Sequence, residues 1–536
     1  MFESVVRCKL TTSRGLCPLF IQLYFRLFSR TIVDLNGKSL TVNSSNNTGA
    51  FITCSLTGGW IISSTAAAQI SFSDANDSTY VKFSGTNVGS TIYPVSFTIN
   101  TGRINIEYLT LYGAGNFTKT FPIDDAVAIG GNKYHGDVSF TATSTASSWR
   151  MSTGSAALPD SFFAKAVFNA KANAGANNNF IIGANSVGNY YADSVTLTST
   201  TSGGLFIGCQ NGAVSGTSSS HYFKGHVVVM VSNSGNISFA DGTNTLPSTV
   251  VFNKTLQLNS TITSTGDIYV GNNTTGSSIS FVNTANLTDG AIRGATKIYF
   301  YNVIQTGFYL QFTTNSGSSN STIVIGSASS PCVWNGPVAF SAPNIDIANS
   351  TFNGFFNVFV MNGNAANQNC TGGNTFAFNT NNIFTNSGTK NWYLANTTAD
   401  TYNGNVYFTQ ASTGLLRPSY NTNCTYAGNI SIQSGSDSIA FAAGANGRVT
   451  INGNSTTSFN NSTVKGTTIK RLTINKTSGN FTLNKGVNIP TGGDMSLLSG
   501  KIVTTTAHIL RMMDETCTVT ATNAAATRCF TNGKVQ

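Results

Sequence analysis

Short runs in which every second residue is apolar recur along most of the chain, and Gly, Asn and Ser separate them. A period of two predicts β-strands with one apolar and one polar face. The clearest motif joins an aromatic residue, a tight turn and a short alternating strand. Its best copies are Tyr134–Phe140 (YHGDVSF), Phe223–Val229 (FKGHVVV), Tyr402–Phe408 (YNGNVYF) and Tyr426–Ile432 (YAGNISI). The pattern predicts many short strands joined by turns.

The motif returns at a regular spacing. With looser copies included, the aromatic markers lie at 134, 163, 191 and 223, and again at 352, 376, 402 and 426, in steps of 24 to 32 residues. Periods of this size are typical of repeat proteins, in which each unit buries its apolar face by stacking on its neighbours. We predict an all-β chain folded as a right-handed parallel β-helix, or β-solenoid, with one coil per period.

The sequence also repeats with a second, longer period. The second set of markers follows the first at an offset of about 200 residues, and Ile439–Gly444 (IAFAAG) follows Ile237–Gly242 (ISFADG) at a similar offset. Such self-similarity is the signature of an internal repeat. The sequence therefore predicts a superblock of this length that is duplicated once.

These patterns divide the chain into five segments. Residues 31–130 are expected to form irregular solenoid coils, 131–350 the first repeat superblock, 351–513 the second, and 514–536 a polar, truncated tail. Residues 1–30 are atypical: basic residues precede an apolar run from Leu16 to Phe25, which fits either a poor secretion signal or a false start upstream of a truncated coding region. No run approaches the roughly 20 apolar residues of a transmembrane helix, so no membrane span is expected.

Composition favours strands over helices and excludes disorder. The chain has 536 residues, of which 40% are hydrophobic, 11% aromatic and 9% charged, whereas soluble domains usually carry about 25% charged residues. Abundant Asn, Ser, Thr and Gly disfavour helices. The aromatic content is too high for a chain that cannot build a core.

The charge pattern does not indicate a nucleic-acid partner. The formal net charge of +10 is spread thinly over 56.3 kDa. The nearest approach to a basic cluster is Lys465, Lys470, Arg471, Lys476 and Lys485. Nucleic-acid binders usually gather such residues on one face or helix, and we interpret these positions as solvated loops.

Few residues are candidates for catalysis or metal binding. Asp137 and Asp193 lie near the turn of the repeated motif, where stacked coils could bring carboxylates together as in glycosidases; the alternative is that each Asp replaces a turn-forming Asn. His135 and His226 lie close to the same turn, and turn or surface roles are expected for them. No zinc, P-loop or nucleophile-elbow motif is present. We predict no catalytic residue, no metal site and no cofactor.

Nine Cys are present, without a C-x-x-C pair or a Cys/His pair at zinc-ligand spacing. Most are interpreted as small core or turn residues. Cys517 and Cys529 could pair in an oxidising compartment.

The second half of the chain resembles a known family. Ala395–Phe408 (ANTTADTYNGNVYF), Asn421–Ile432 (NTNCTYAGNISI), Arg471–Leu483 (RLTINKTSGNFTL) and Leu497–Met512 (LLSGKIVTTTAHILRM) are similar to large secreted, repeat-containing surface proteins of Bacteroidetes. The resemblance is strong over 350–536, fair over 131–350 and poor before that. It implies an extracellular, adhesin-like β-solenoid, and a fragment of a longer protein, because the C-terminal sorting domain usual in the family is not visible. The family carries no defined activity, so no functional residue is transferred.

Three functions follow from this interpretation. The first is a non-enzymatic, extracellular structural or adhesive solenoid that displays a long polar surface, with extracellular polysaccharide or other surface components as partners. The second is a carbohydrate-active enzyme on the same scaffold, either a polysaccharide lyase or a glycoside hydrolase. The third is an ice-binding solenoid, which needs a regular Thr-x-Thr ladder. The repeated aromatic residue is expected to stack from coil to coil, in the core or on an outer face that packs against sugars, and the neighbouring Asn residues are expected to form an amide ladder.

Overall fold

The structure is a computed structural model, and its regular secondary structure is all β-strand in the part of the chain that it describes. It describes residues 32–44, 51–74, 80–120, 130–143, 149–151, 158–171, 180–183, 188–200, 202, 204–208, 219–240, 248–271, 277–282, 287–288, 292, 295–306, 309–314, 321–433, 439–462, 466–521 and 530–532. The atypical segment 1–30 lies outside these ranges. Internal contacts divide the chain into Met1–Ala285 (unit 1) and Asn286–Gln536 (unit 2). This boundary lies inside the predicted first superblock, and the duplication stays a prediction.

Unit 1 has three strand faces. The marker face, which carries the aromatic markers, consists of Ile32–Asp34, Phe51–Ile62, Tyr80–Val88, Arg103–Glu107, Thr110–Leu111, Lys133–Tyr134, Ser161–Phe162, Tyr190–Tyr191, Ser220–Phe223, Thr249–Phe252 and Ser278–Phe281. The second face, after the motif turn, consists of Leu40–Ser44, Ala68–Asp74, Val95–Thr101, Gly115–Lys119, Val138–Ala142, Ala166–Ala170, Val195–Ser199, Val227–Val231 and Leu256–Ser260. The third face consists of Trp149–Met151, Phe180–Ile182, Leu205–Ile207, Ile237–Phe239 and Ile268–Val270.

Unit 2 repeats this arrangement. Its marker face consists of Val303–Gln305, Val333–Trp334, Thr351–Phe352, Thr375–Phe376, Thr401–Tyr402, Asn423–Tyr426 and Arg448–Ile451. Its second face consists of Leu310–Thr313, Val338–Ala342, Phe356–Met361, Asn381–Asn386, Asn405–Gln410, Ile430–Gln433 and Thr457–Asn461. The long strands Arg471–Leu483 and Asp494–Val503 continue both faces, and Thr518–Ala521 and Phe530–Asn532 pair with the latter.

The remaining strands of unit 2 are short. Most belong to three sets of paired strands: Lys297–Phe300, Thr322–Ile325 and Asn344–Ile347; Gln368–Asn369, Trp392–Tyr393 and Leu416–Arg417; and Ala440–Phe441, Thr467–Ile469, Val487–Ile489 and Leu510–Met512. Leu287–Thr288 is a further two-residue strand.

In both units each described strand pairs in parallel with the strand one coil away. Val138 pairs with Ala166, and Ala166 pairs with Val195. Hydrogen bonds between equivalent residues of adjacent coils span 23, 28, 29 and 32 residues in unit 1 and 18, 24, 26 and 24 in unit 2. The predicted all-β, parallel β-solenoid is confirmed, and two of these coils are shorter than the predicted range.

The interior is lined by columns of stacked rings. In unit 1, Tyr134, Phe162, Tyr191 and Phe223 are buried, and consecutive ring centroids lie 4.9, 4.9 and 4.4 Å apart with nearly parallel planes. In unit 2, the equivalent column is Phe352, Phe376, Tyr402 and Tyr426, with spacings of 5.0, 4.8 and 4.8 Å. Each such pair contributes about 0.5–1.5 kcal/mol beyond its apolar burial. The predicted coil-to-coil stacking is confirmed, and of the two positions considered for it the structure shows the core.

One marker was assigned wrongly by one residue. The repeat pattern of the sequence placed Phe163 in the column. In the structure Tyr134 pairs with Phe162, and Phe163 is 43% exposed. The two neighbours are both Phe, so the apolar pattern does not separate them. A shift of one residue on a strand exchanges the inner and outer faces.

A buried polar column lies two residues before the markers. In unit 1 it runs through Asn132, Asp160, Asn189 and His221: the backbone N–H of each of the first three donates to the side chain of the next, at 2.8, 2.9 and 3.3 Å. In unit 2 it runs through Cys332, Ser350, Asn374, Asp400 and Cys424, at 3.4, 3.1, 2.9 and 3.4 Å. A buried N–H needs an acceptor, and here a side chain in the next coil supplies it.

Candidate functional site

The two candidate carboxylates do not form an acid/base pair. Asp137 and Asp193 lie in different columns and two coils apart, and Lys165 of the intervening coil donates its backbone N–H to Asp137 Oδ1 at 3.2 Å. Asp193 accepts from the backbone N–H and the hydroxyl of Ser194 at 2.6 and 3.0 Å. These bonds lower the pKa of Asp193, whereas a glycosidase acid needs a raised pKa.

The His residues take separate positions. His135 and His226 are exposed at the motif turn, as expected. His221 is fully buried in the polar column, where Nδ1 accepts from the backbone N–H of Asn189 and Nε2 lies 3.2 Å from the Gly183 carbonyl oxygen. Burial lowers its pKa to about 4. We infer a neutral imidazole that takes the place of Asn at the end of the column.

The basic cluster does not present a common charged face. Lys476 is buried and donates to the Asn452 carbonyl oxygen at 3.1 Å, and burial lowers its pKa. Arg471 and Arg448 both pair with Asp494, at 3.3 and 2.6 Å. Lys465 lies outside the described residues, and so does Cys529, on which the predicted Cys517–Cys529 disulfide depends.

An outer aromatic row lies on unit 1. The rings of Tyr112, His135 and Phe163 stack with centroids 4.6 Å apart and planes within 8° of parallel. Trp60 contacts one end of the row, and Tyr190 and Tyr222 continue it. Because these rings cover one another's faces, they offer mainly ring edges to solvent. This row differs from the outer sugar-binding ladder considered for the markers, which would present ring faces.

Unit 2 has a groove across its motif turns, which we call the turn groove. Val406 and Ile430 follow their markers Tyr402 and Tyr426 by only four residues, so these two turns are short. The flanking turns are longer: Asn382, the partner of Val406, follows Phe376 by six residues, and Phe459, the partner of Ile430, follows Ile451 by eight. The short turns form the floor, and the long turns form two walls.

The floor consists of 403–405 and 427–429, one wall of Phe378 and Asn379, and the other of 453–457. The volume of this open groove is about 200 Å³. A floor two coils wide spans roughly 10 Å, because adjacent strands lie about 4.8 Å apart.

Two glycines make the close packing of the floor possible. A Cβ on Gly428 would lie 2.2 Å from the carbonyl oxygen of Gly404, and a Cβ on Gly404 would lie 2.5 Å from that of Thr380. Both contacts are with backbone, which has little room to move. The Gly of the N-G-N and A-G-N turns is therefore required by the stacking of the coils.

A ladder of amides crosses the floor. Asn405 Nδ2 donates to Asn381 Oδ1 at 3.2 Å, and the backbone N–H of Asn429 donates to Asn405 Oδ1 at 3.0 Å. Asn429 Oδ1 in turn accepts from the backbone N–H and the hydroxyl of Ser458. The predicted amide ladder is present in part: only the Asn405–Asn381 bond joins two side-chain amides, and the other donors are a backbone N–H and Ser458. The side chains of Asn403 and Asn454 make no hydrogen bond to any described residue and are available to a ligand.

Phe378 stands on the wall of the turn groove and is 69% exposed. Within the described ranges its ring has no aromatic partner, in contrast to the stacked rings of unit 1. None of the residues that line the groove is ionisable. The groove thus combines free amides, hydroxyls and one open ring face.

The described ranges contain no group of three His, Cys, Asp or Glu side chains that could hold a metal ion. They also contain no helix that is long and apolar enough to cross a membrane. Comparisons with protein-family models, curated proteins and solved structures gave no match.

Sequence reasoning did not find the turn groove. Its lining residues are Asn, Gly, Ser and Thr, which are common throughout the chain. The usable signal was the unequal number of residues between each marker and its following strand. Reading that signal requires the correct register of every coil.

Proposed function

We propose that this chain is a non-enzymatic, extracellular β-solenoid that acts as a structural or adhesive element of a cell surface. The observation that carries the proposal is the lining of the turn groove, which has amides, hydroxyls and an exposed ring but no ionisable side chain. Such a lining suits reversible recognition, because acid/base or nucleophilic chemistry needs titratable groups within reach of the substrate.

The rest of the described surface supports the same role. Outward positions of the second faces are mostly half-buried residues between apolar, inward ones, as in Val138–Ala142 and Asn405–Gln410. The outward columns mix residue types: Thr98, Asn116, Ser139, Val167, Thr196 and Val228 follow one another. A regular Thr-x-Thr ladder, as an ice-binding surface requires, is not formed there.

Adsorption of the purified chain to insoluble polysaccharides tests the proposal. We expect retention on at least one of cellulose, chitin, xylan and mannan, without release of reducing ends or unsaturated products. Release of either product would favour the carbohydrate-active enzyme instead, and thermal hysteresis of freezing would favour the ice-binding solenoid. Retention on no polysaccharide and on no cell envelope would contradict the adhesive role.

A further inference from the structure

We propose that the turn groove of unit 2 is a binding site for a neutral saccharide, with Phe378 as its stacking platform. This inference rests on the adhesive function proposed above and assigns that function to one site. It follows from three properties of the groove: the open ring, the free amides and the absence of charge.

The ring supplies a flat apolar surface. Phe378 is 69% exposed, and its face is not covered by another described ring. The face of an aromatic ring carries partial negative charge, so it attracts the slightly positive C–H bonds that cluster on one side of a pyranose. The paired rings of unit 1 cannot act in this way, because neighbouring rings cover their faces.

The amides supply the polar contacts. An Asn side chain offers two donors and an acceptor with two lone pairs, and sugar hydroxyls both donate and accept. Asn403 on the floor and Asn454 on the opposite wall are without intramolecular partners in the described residues, so a ligand can bond to them without breaking an existing bond. Asn405 and Asn429 are held in place by the amide ladder, which keeps the floor ordered before binding.

The absence of charge selects the class of saccharide. An acidic polysaccharide would need Lys or Arg to offset the loss of water around its carboxylates, and neither residue lines the groove. A peptide that binds by adding a strand would need an open sheet edge. The backbone of the floor instead faces its neighbouring coils: Asn403 and Ala427 donate their N–H groups to the carbonyl oxygens of Phe376 and Tyr402 at 2.9 and 2.8 Å.

The test uses the full chain and a panel of immobilised hexasaccharides derived from cellulose, mannan, xylan and chitin, with hexagalacturonate as the acidic comparison. Phe378→Ala and Asn403→Ala are the groove variants. Phe355→Ala is the matched ring control, because Phe355 is also 69% exposed in unit 2 but does not line the groove. Asn446→Ala is the amide control, because Asn446 is exposed outside the groove. Unchanged thermal unfolding midpoints establish that each variant is folded.

We expect binding to at least one neutral hexasaccharide, with affinity about tenfold lower in Phe378→Ala, near the upper end for one aromatic contact. Asn403→Ala should weaken binding severalfold, and both controls should bind as the parent does. Preference for hexagalacturonate, binding to no neutral member, or equal binding by Phe378→Ala would overturn the site. If Phe378→Ala adheres to polysaccharide as tightly as the parent chain does, the groove assignment fails while the adhesive function stands. If the parent chain adheres to nothing, the adhesive function itself fails.

Discussion

Units 1 and 2 share their interior and differ in their turns. Both contain a column of stacked marker rings and, two residues earlier, a buried polar column that joins successive coils. In unit 1 the strand of the second face begins four residues after the marker in every coil from Tyr134 to Phe252. In unit 2 this distance changes from coil to coil, and the turn groove lies where two short turns are flanked by longer ones.

The difference shows how a solenoid separates stability from surface shape. The inner columns must continue from coil to coil, because each ring and each buried N–H depends on its neighbour. The length of a turn carries no such constraint, since lengthening a loop costs little. Equal turns in unit 1 align His135 and Phe163 into a stacked row, whereas unequal turns in unit 2 open a groove and leave Phe378 unstacked.

The largest expected effect is the loss of stability when a ring of the shared interior is removed, compared with the loss when a ring of the outer row is removed. Phe162→Ala in unit 1 and Phe376→Ala in unit 2 should each lower the free energy of unfolding by about 4 kcal/mol, because both rings are fully buried. Phe163→Ala, one residue away, should cost about 1 kcal/mol, because its ring is 43% exposed and loses mainly its stacking on His135. Urea unfolding measures all three. Equal costs at Phe162 and Phe163 would contradict the register described above.

The next effect is a different pH dependence of stability in the two polar columns. Burial raises the pKa of Asp400 to about 6 from 3.8 and lowers that of His221 to about 4 from 6.5. The folded state of unit 2 therefore binds a proton more tightly at Asp400 than the unfolded state does. The stabilisation that unit 2 gains from the proton on Asp400 is fully present below pH 3.8. It is lost as the pH rises through 6. The contribution of His221 to unit 1 is present above pH 6.5 and is lost as the pH falls through 4.

Each contribution is on the order of 3 kcal/mol, with opposite signs in the two units. Hydrogen exchange between pH 7 and 4, followed by mass spectrometry of peptides from each unit, measures them. Asp400→Asn should remove the gain in stability that unit 2 shows in acid. His221→Asn should remove the loss of stability that unit 1 shows in acid. Asn is chosen because these columns already contain Asn132, Asn189 and Asn374. A pH dependence that neither substitution changes would show that other groups control it.

The smallest expected effect tests whether turn length matters for stability at all. Inserting Ser-Gly between His135 and Gly136 lengthens one turn of unit 1 to the size of the Phe376 turn in unit 2. We expect a loss of only about 1 kcal/mol, because loop length enters the closure entropy logarithmically. Thermal unfolding measures the loss. A loss above about 3 kcal/mol would indicate that the equal turns themselves hold unit 1 together.

Particular residues show how far sequence reasoning reached. The aromatic–turn–strand motif correctly predicted the strands Val138–Ala142 and Asn405–Gln410 and the stacked interior rings. The weak copies at Phe352 and Phe376 proved to be true members of the column, in register with Tyr402. The polar column was not predicted, although Asn132, Asp160 and Asn189 stand at the same distance from their markers. Its signal is a single residue per coil whose identity varies among Asn, Asp, His, Ser and Cys.

The sequence by itself determined the strands, the coil and the solenoid, because apolar alternation and periodic turn residues are local signals that repeat many times. Only the tertiary structure decided which Phe of the pair at 162 and 163 points inward, since that choice depends on register with Tyr134. Only the tertiary structure placed Phe378, Asn403 and Asn454 around the same groove. These residues are far apart in sequence, and they share a surface because the coils between their strands stack in parallel while their turns differ in length.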